Sequence, residues 1–338
     1  MEINFEHLQS AHCENGVTRS LLKNIGVHQI TEPLAFGIGA GLFFVYIPLL
    51  KINNGPVIAF RTLPGLIFKR TCKALGIHVN RKKFSSKEKA EAFLNECLAA
   101  GHPVGCQVGV FYLPYFPKEY RFHFNAHNLI VYGKEEDKYL VSDPVMENVT
   151  TLSSYELERV RFAKGVLAPK GQIYYPIART IVTNEQIKKA IINGIKKNVH
   201  NMLHIPLPII GVKGIRYTGN KIKKWRDKLG SKQAGLYLAQ LVRMQEEIGT
   251  GGGGFRYIYA AFLQEAFAYH PIDKLSEISK MFTNSGDLWR TAAVQASGIY
   301  KGRIDSQEDF NLMGDYLLKI AEMERQAFVA LSKINWQS

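Results

Sequence analysis

Cysteine is scarce in this sequence: four residues in 338, at positions 13, 72, 97 and 106. No two of them form a C-x-x-C pair, which argues against a zinc site. A chain of this length needs no disulfide framework to hold a core. The question is then whether one of the four is a nucleophile. Acidic residues are also in deficit, 29 Asp and Glu against 43 Lys and Arg, for a formal net charge of +14. That balance favours an acidic partner. Residues 1–12 have no apolar core, so no secretory signal is read there and a cytoplasmic protein is expected. One charge-free run, Pro33–Leu50, imitates a membrane span, but Gly37, Gly39, Gly41 and Pro48 interrupt it. A spanning helix needs about 20 apolar residues, so the run is expected as a buried core segment, with no membrane partner.

The rest divides by pattern into an α+β fold of two domains. Residues 1–176 mix helix and strand, and residues 180–338 read as helical. Val17, Leu21, Leu22 and Ile25 recur at helical spacing before Gly26, which predicts a helix over 14–25 with Cys13 at its start. Residues 87–100 predict a second helix, closed by Gly101, and 103–111 a buried strand. Helices are expected over 184–198, 232–247, 255–268, 274–282, 286–300 and 307–334.

The clearest hairpin joins 128–133 (NLIVYG) to 138–143 (KYLVSD) through a polar KEED loop. With Gly133 opposite Asp137, His127 falls opposite Asp143, and opposed side chains on one face stand about 4.5–5.5 Å apart at Cβ. A one-residue slip would undo this. A His held by a carboxylate has a fixed tautomer and can act as a general base. It needs a nucleophile, and Cys13 at a helix N-terminus is the natural one, because that position favours thiolate. Cys72 lies in a basic segment, Cys97 in mid-helix and Cys106 in a buried strand, all three structural settings.

The order Cys, His, Asp, with His opening one hairpin strand and Asp-Pro closing the next, resembles papain-like bacteriocin-leader peptidases and, more closely, the butirosin-H-type acyltransferases. The likeness rests on HCENGVTRSLLKNIG (12–26), TEPLAFGIGAGLFF (31–44), HNLIVYG (127–133), VSDP (141–144) and GTGGGGFRYIYAAFLQEA (249–266). It implies a papain-like cysteine-peptidase domain followed by a helical domain, with Cys13, His127 and Asp143 as the catalytic triad. It also implies an activity: an acyl or peptidyl group moves from a carrier-protein thioester to a small amine through an acyl-enzyme. No cofactor is expected beyond the carrier's phosphopantetheine arm. Related enzymes form the amide bonds of thiotemplated peptide antibiotics such as closthioamide. Papain-like enzymes usually set a Gln several residues before the Cys as oxyanion donor. Here Gln9 is only four residues upstream, and Gln9, Ser10 and the Cys13 amide all stay open as donors. His12 and Glu32 are candidate site-shaping residues, each weighed against a structural role.

Carrier proteins are acidic, and the stretch 213–232 offers eight basic residues (Lys213, Arg216, Lys221, Lys223, Lys224, Arg226, Lys228, Lys232) against Asp227 alone. Lys221, Lys223 and Lys224 are the carrier-binding candidates, set against a merely solvated Lys-rich face. Gly251–Gly254 precede a helix and could hold a phosphate, but no Gly-Lys-Ser/Thr follows and a flexible loop is favoured. His123 and His127 are four apart in a strand context where the spacing does not converge, so no metal is expected. Two other functions compete: a papain-like peptidase or hydrolase on the same residues, and a basic nucleic-acid-binding protein. The latter lacks any ordered aromatic–basic pattern.

Overall fold

The computed structural model describes residues 2–52, 55–177 and 181–336. Its elements run α1 (Cys13–Asn24), α2 (Glu32–Ile38), β1 (Leu42–Ile52), β2 (Gly55–Arg61), α3 (Leu66–Ala74), β3 (Val79–Lys82), α4 (Lys87–Ala99), β4 (Val104–Val108), β5 (His127–Glu135), β6 (Lys138–Ser142), β7 (Thr150–Ser153), α5 (Ser154–Arg161) and β8 (Ile173–Pro176). Helices follow: α6 (Asn184–Val199), α7 (Gly211–Ile222), α8 (Trp225–Leu229), α9 (Ser231–Val242), α10 (Arg256–Tyr269), α11 (Asp273–Tyr300) and α12 (Gln307–Ser332). The fold is α+β, with a mixed N-terminal part and a helical C-terminal part.

Two compact units form, Met1–Ala35 with Ile67–Thr183, and Phe36–Leu66 with Asn184–Ser338. The cut expected at 176–180 is therefore corrected in one respect: residues 36–66 belong with the helical unit. Side-chain packing is the reason. Phe44 and Phe60 meet edge to face at 5.4 Å, and both pack on Trp289 of α11. Tyr46 N–H donates to the Ile209 carbonyl just before α7. The charge-free run 33–50 is buried only in its first part, since Leu49 and Leu50 at its end are 95% and 56% exposed. Among the described residues, no helix is long and apolar enough to cross a membrane.

The first unit is built on a six-stranded antiparallel sheet in the order β3-β8-β4-β5-β6-β7. Its core side chains include Leu129, Val131, Val141, Leu152 and Val160. Alternate residues of β4 and β5 (Val104, Cys106, Val108, Leu129, Val131) point into it, and the residues between them are buried as well, so these central strands are covered on both faces. α1 starts where the sequence predicts. His12 caps it, its ring nitrogen accepting from Asn15 N–H at 3.4 Å, and the Gly26 region ends it with N–H groups turned to Leu22 and Lys23.

The hairpin of β5 and β6 departs from the expected register. Near its turn Gly133 lies opposite Leu140 and Glu135 opposite Lys138, with Glu136 in a left-handed conformation (φ 50). Between Val131 and Gly133 the ladder is bulged, and beyond it Val131 faces Val141 and Ile130 faces Ser142. Extended by one residue, that register sets Asp143 across from Leu129 rather than His127, so Asp143 and His127 are diagonal neighbours. A bulge adds one residue to one strand. Without the one at Tyr132, Asp143 would fall on the other face of the sheet from His127.

In the helical unit, 274–282 and 286–300 are one helix, α11, and the basic stretch around 213–222 is the unexpected helix α7. α7 buries Val212, Ile215, Thr218 and Ile222, an amphipathic period that its lysines mask. The Gly-rich segment is corrected as well. Thr250 and Gly252–Phe255 are buried, Gly252 N–H is taken by Thr250 Oγ1 (3.0 Å), and Gly253 N–H by the Glu246 carboxylate (3.1 Å). With a carboxylate already on the amide, it is neither a flexible loop nor a phosphate cradle. Gly251 to Gly254 all have φ between 57 and 84, which favours glycine at each.

Candidate active site

Cys13 is the first residue of α1, His127 the first of β5, and Asp143 follows the last residue of β6. All three are buried, at 6%, 5% and 0% exposure. His127 Nε2 lies 2.7 Å from Asp143 Oδ2. That contact commits Nε2 to the carboxylate and leaves Nδ1 for the Cys13 thiol, with which the ring interacts. Asp143 is itself held: Tyr115 Oη donates to Oδ2 at 2.8 Å and the Val145 amide to Oδ1 at 3.2 Å. Phe116 sets its ring edge to face with the imidazole at 5.4 Å. Both aromatics come from the long connection between β4 and β5, which lies beside the imidazole.

Burial pushes the Cys13 thiol up, but the neighbouring His12 and His127 more than reverse this and hold it well below the ordinary thiol range. Burial pushes His127 down, while the Asp143 carboxylate and the Cys13 sulfur pull its proton affinity up well beyond that of a free imidazole. Both directions favour a thiolate beside an imidazolium. The other cysteines differ. Burial, the largest cause in each, drives Cys72 to about 12 and Cys106 to about 11, and raises Cys97 too. They are inert packing residues.

The segment entering α1 is fixed by Glu32. Its carboxylate accepts from the amides of Ala11 (3.0 Å) and His12 (2.8 Å), the structural role weighed for it, in the two residues just before Cys13. Glu14, fully buried, turns to the amides of Ile67 (3.0 Å) and Phe68 (3.4 Å) at the start of α3. Gln9 is exposed, whereas Ser10 beside it is buried, its amide donating to the Pro144 carbonyl at 2.7 Å. The Ser10 hydroxyl and both polar atoms of the Asn15 side chain are buried with no hydrogen-bond partner among the described residues.

Three residues near the site escaped the sequence reading. Tyr115 is one. Asn128 sends Nδ2 toward the Cys13 sulfur at 3.8 Å, and Tyr174 Oη donates to Asn128 Oδ1 at 2.7 Å. A signal for Tyr174 does exist in its strand partner: Gly105 lies opposite it, and a Cβ there would stand 2.5 Å from the Tyr174 ring. His123 stacks on Phe111 at 4.1 Å. Among the described residues, no group of three or more His, Cys, Asp or Glu is placed to hold a metal ion.

The basic stretch is less available than its charge suggests. Lys223 is ion-paired with Asp315, Arg216 with Glu322 at 3.1 Å and Arg226 with Asp305 at 3.5 Å. Lys221 is half-buried, with its ammonium 4.9 Å from the Tyr217 ring centre. Of the three carrier candidates only Lys224 is exposed. Lys213, Lys228 and Lys232 are exposed as well.

Comparison with known proteins adds the family. Residues 12–144 match the N-terminal domain of butirosin biosynthesis protein H, and residues 155–331, just over half of the chain, match a domain of unknown function, DUF4872. No curated protein matches the sequence. Among solved structures, a C39-like peptidase of Bacillus anthracis aligns over 54% of this chain and 100% of its own, at 14% identity and a TM-score of 0.38. The first of these matches contains Cys13, His127 and Asp143 and the second takes in all the C-terminal helices, so the chain belongs to the butirosin-H-type family.

Proposed function

We propose that this protein is a cysteine-dependent acyltransferase, in which Cys13 accepts an acyl or peptidyl group from a carrier-protein thioester and passes it to a small amine. The observation that carries the reading is the buried Cys13–His127–Asp143 contact, with the thiol held low and the imidazole held high. In the first step the Cys13 thiolate attacks the thioester carbonyl. The C–S bond of the donor breaks and the carrier's thiol departs, taking the proton of the His127 imidazolium as it leaves, so the imidazole is neutral when the amine arrives. The N–H of Cys13, at the start of α1, is the donor best placed by position for the developing oxyanion. In the second step His127 takes a proton from the incoming amine, and Asp143, braced by Tyr115, keeps the ring oriented and offsets its charge. The family model supports synthesis over breakdown, since its name belongs to the biosynthesis of butirosin.

The donor's arm is the only cofactor-like group this chemistry needs. An acidic carrier would meet the exposed lysines of the helical unit, chiefly Lys213, Lys224 and Lys228, by charge. The test compares a carrier-bound thioester with a short soluble thioester. Lys213→Glu with Lys224→Glu should raise the apparent KM for the carrier-bound donor several-fold and leave the short donor unchanged. Equal losses on both donors would mean a damaged fold, and no change on either would remove this face from the docking surface. Release of free acid instead of amide, with amine present in excess, would favour the hydrolase.

A further inference from the structure

Next to the sulfur stands an amide that the scheme above does not use. Asn128 is 2% exposed, and its Nδ2 lies 3.1 Å from the Ala126 carbonyl and 3.8 Å from Cys13 Sγ. Its Oδ1 receives the Tyr174 hydroxyl at 2.7 Å. The two ends of an amide are told apart by their partners. A carbonyl oxygen 3.1 Å away can be met only by a donor, so the Ala126 carbonyl fixes Nδ2 on that side. Tyr174 then donates to the oxygen, completing it. Of the two Nδ2 hydrogens one goes to Ala126, and the other is left for the sulfur. Tyr174 is also fixed, packed across Gly105 and against Phe68 at 4.7 Å between ring centres. The amide is therefore held in a single orientation.

We propose that Asn128 is a catalytic residue of this site, donating from Nδ2 to the Cys13 sulfur whenever that sulfur carries negative charge, with Tyr174 as the positioning residue that holds the amide to the task. This deepens the acyltransferase reading and rests on it. A neutral donor adds something the two histidines cannot. His127 must give and take a proton during each cycle, so the stabilisation it offers the thiolate comes and goes. Asn128 has no proton to lose. Its effect falls on the second half of the reaction: the amine nitrogen adds to the acyl carbon, its proton passes to His127, and the C–S bond breaks with its electron pair returning to sulfur. The Nδ2 hydrogen meets that pair as it forms. In the neutral thioester the same contact is weak, so the donor favours the expelled thiolate over the acyl-enzyme.

The titratable groups facing the sulfur are His12 at the start of α1, His127 on β5 with Asp143 behind it, and Tyr174 on β8. Glu14 is next in sequence, but its carboxylate is engaged at α3. The test is the pH dependence of Cys13 alkylation by iodoacetamide in the full chain, with Cys13→Ala as background. Asn128→Leu keeps the bulk and removes the donor. It should move the midpoint of reactivity up by about one pH unit, the worth of a hydrogen bond to a charged group. Tyr174→Phe removes one oxygen and should move it the same way by less. Breakdown of a preformed acyl-enzyme by amine should slow about tenfold in Asn128→Leu. If Asn128→Leu does not fold, Tyr174→Phe carries the test alone. Folded variants with the wild-type midpoint would overturn the role of Asn128 and leave the nucleophile assignment standing. A wild-type midpoint in the ordinary thiol range would overturn the activated Cys13 itself.

Discussion

Each unit of this protein buries a cluster of charge, and the two clusters are built to opposite ends. In the helical unit Arg256 and Glu324 are both fully buried and paired twice, Nε to Oε1 and Nη2 to Oε2, each at 2.8 Å. Ser285 and the Trp289 indole add donors to Oε1 at 2.8 and 3.0 Å, and Arg256 Nη1 reaches the Gly254 carbonyl at 2.7 Å. The two-pronged guanidinium–carboxylate pair and its further donors tie α10, α11 and α12 into one arrangement. In the sheet unit the buried pair is a thiol and an imidazole, backed by Asp143. There the proton can sit on either partner. Burial with pairing thus makes a strut in the helical unit and, on the proposed function, a reactive centre in the sheet unit.

The sharpest way to break this contrast is to remove the group that moves. His127→Ala should lower the rate of Cys13 acylation by about 10²–10⁴-fold. Asp143→Asn should cost less, since Asp143 holds the ring but transfers nothing. The pH profile follows from the two directions. The low Cys13 value keeps thiolate available below the ordinary thiol range, and rate is lost as pH falls through it. The raised His127 value keeps the imidazolium at neutral pH, and it is lost as pH rises through that value. Asp143→Asn should move the alkaline limb down, because the carboxylate that retains the proton is gone. Equal, negligible effects of both variants would refute the assignment.

The strut should respond in stability. Glu324→Ala leaves a buried guanidinium unpaired, and removing one partner of such a pair costs about 3–5 kcal/mol. Urea unfolding of the helical unit measures this, and a loss under about 1 kcal/mol would mean the pair is not buried as described. The smallest effect is expected from Tyr115→Phe, which removes one of three donors to Asp143. It should slow acylation a few-fold, about 1 kcal/mol. A loss as large as that of His127→Ala would make Tyr115 part of the chemistry rather than its brace.

Local pattern carried the site a long way. Cys13 at a helix start and His127 and Asp143 on adjacent strands were legible from helical spacing, a polar turn and a proline. The hairpin register was not. The contact survives because the bulge at Tyr132 shifts the pairing so that face is preserved, and nothing in VYGKEED marks a bulge. Asn128 and Tyr174 were hidden for a related reason: they meet through pairing of β4 with both β5 and β8, contacts that link residues far apart in sequence. The same applies to residues 36–66, whose aromatic side chains pack against Trp289 more than two hundred positions away. In 213–232 charge count hid the amphipathic period of α7, and the acids that pair with its cations lie on or just before α12.

The most direct measurement is intact-protein mass spectrometry after brief exposure to an acyl thioester without amine, followed by peptide mapping. One acyl group should add, on Cys13, and disappear on addition of amine with amide formed; Cys13→Ala should take up none. Acyl addition to Cys72, Cys97 or Cys106, or uptake that persists in Cys13→Ala, would contradict the account.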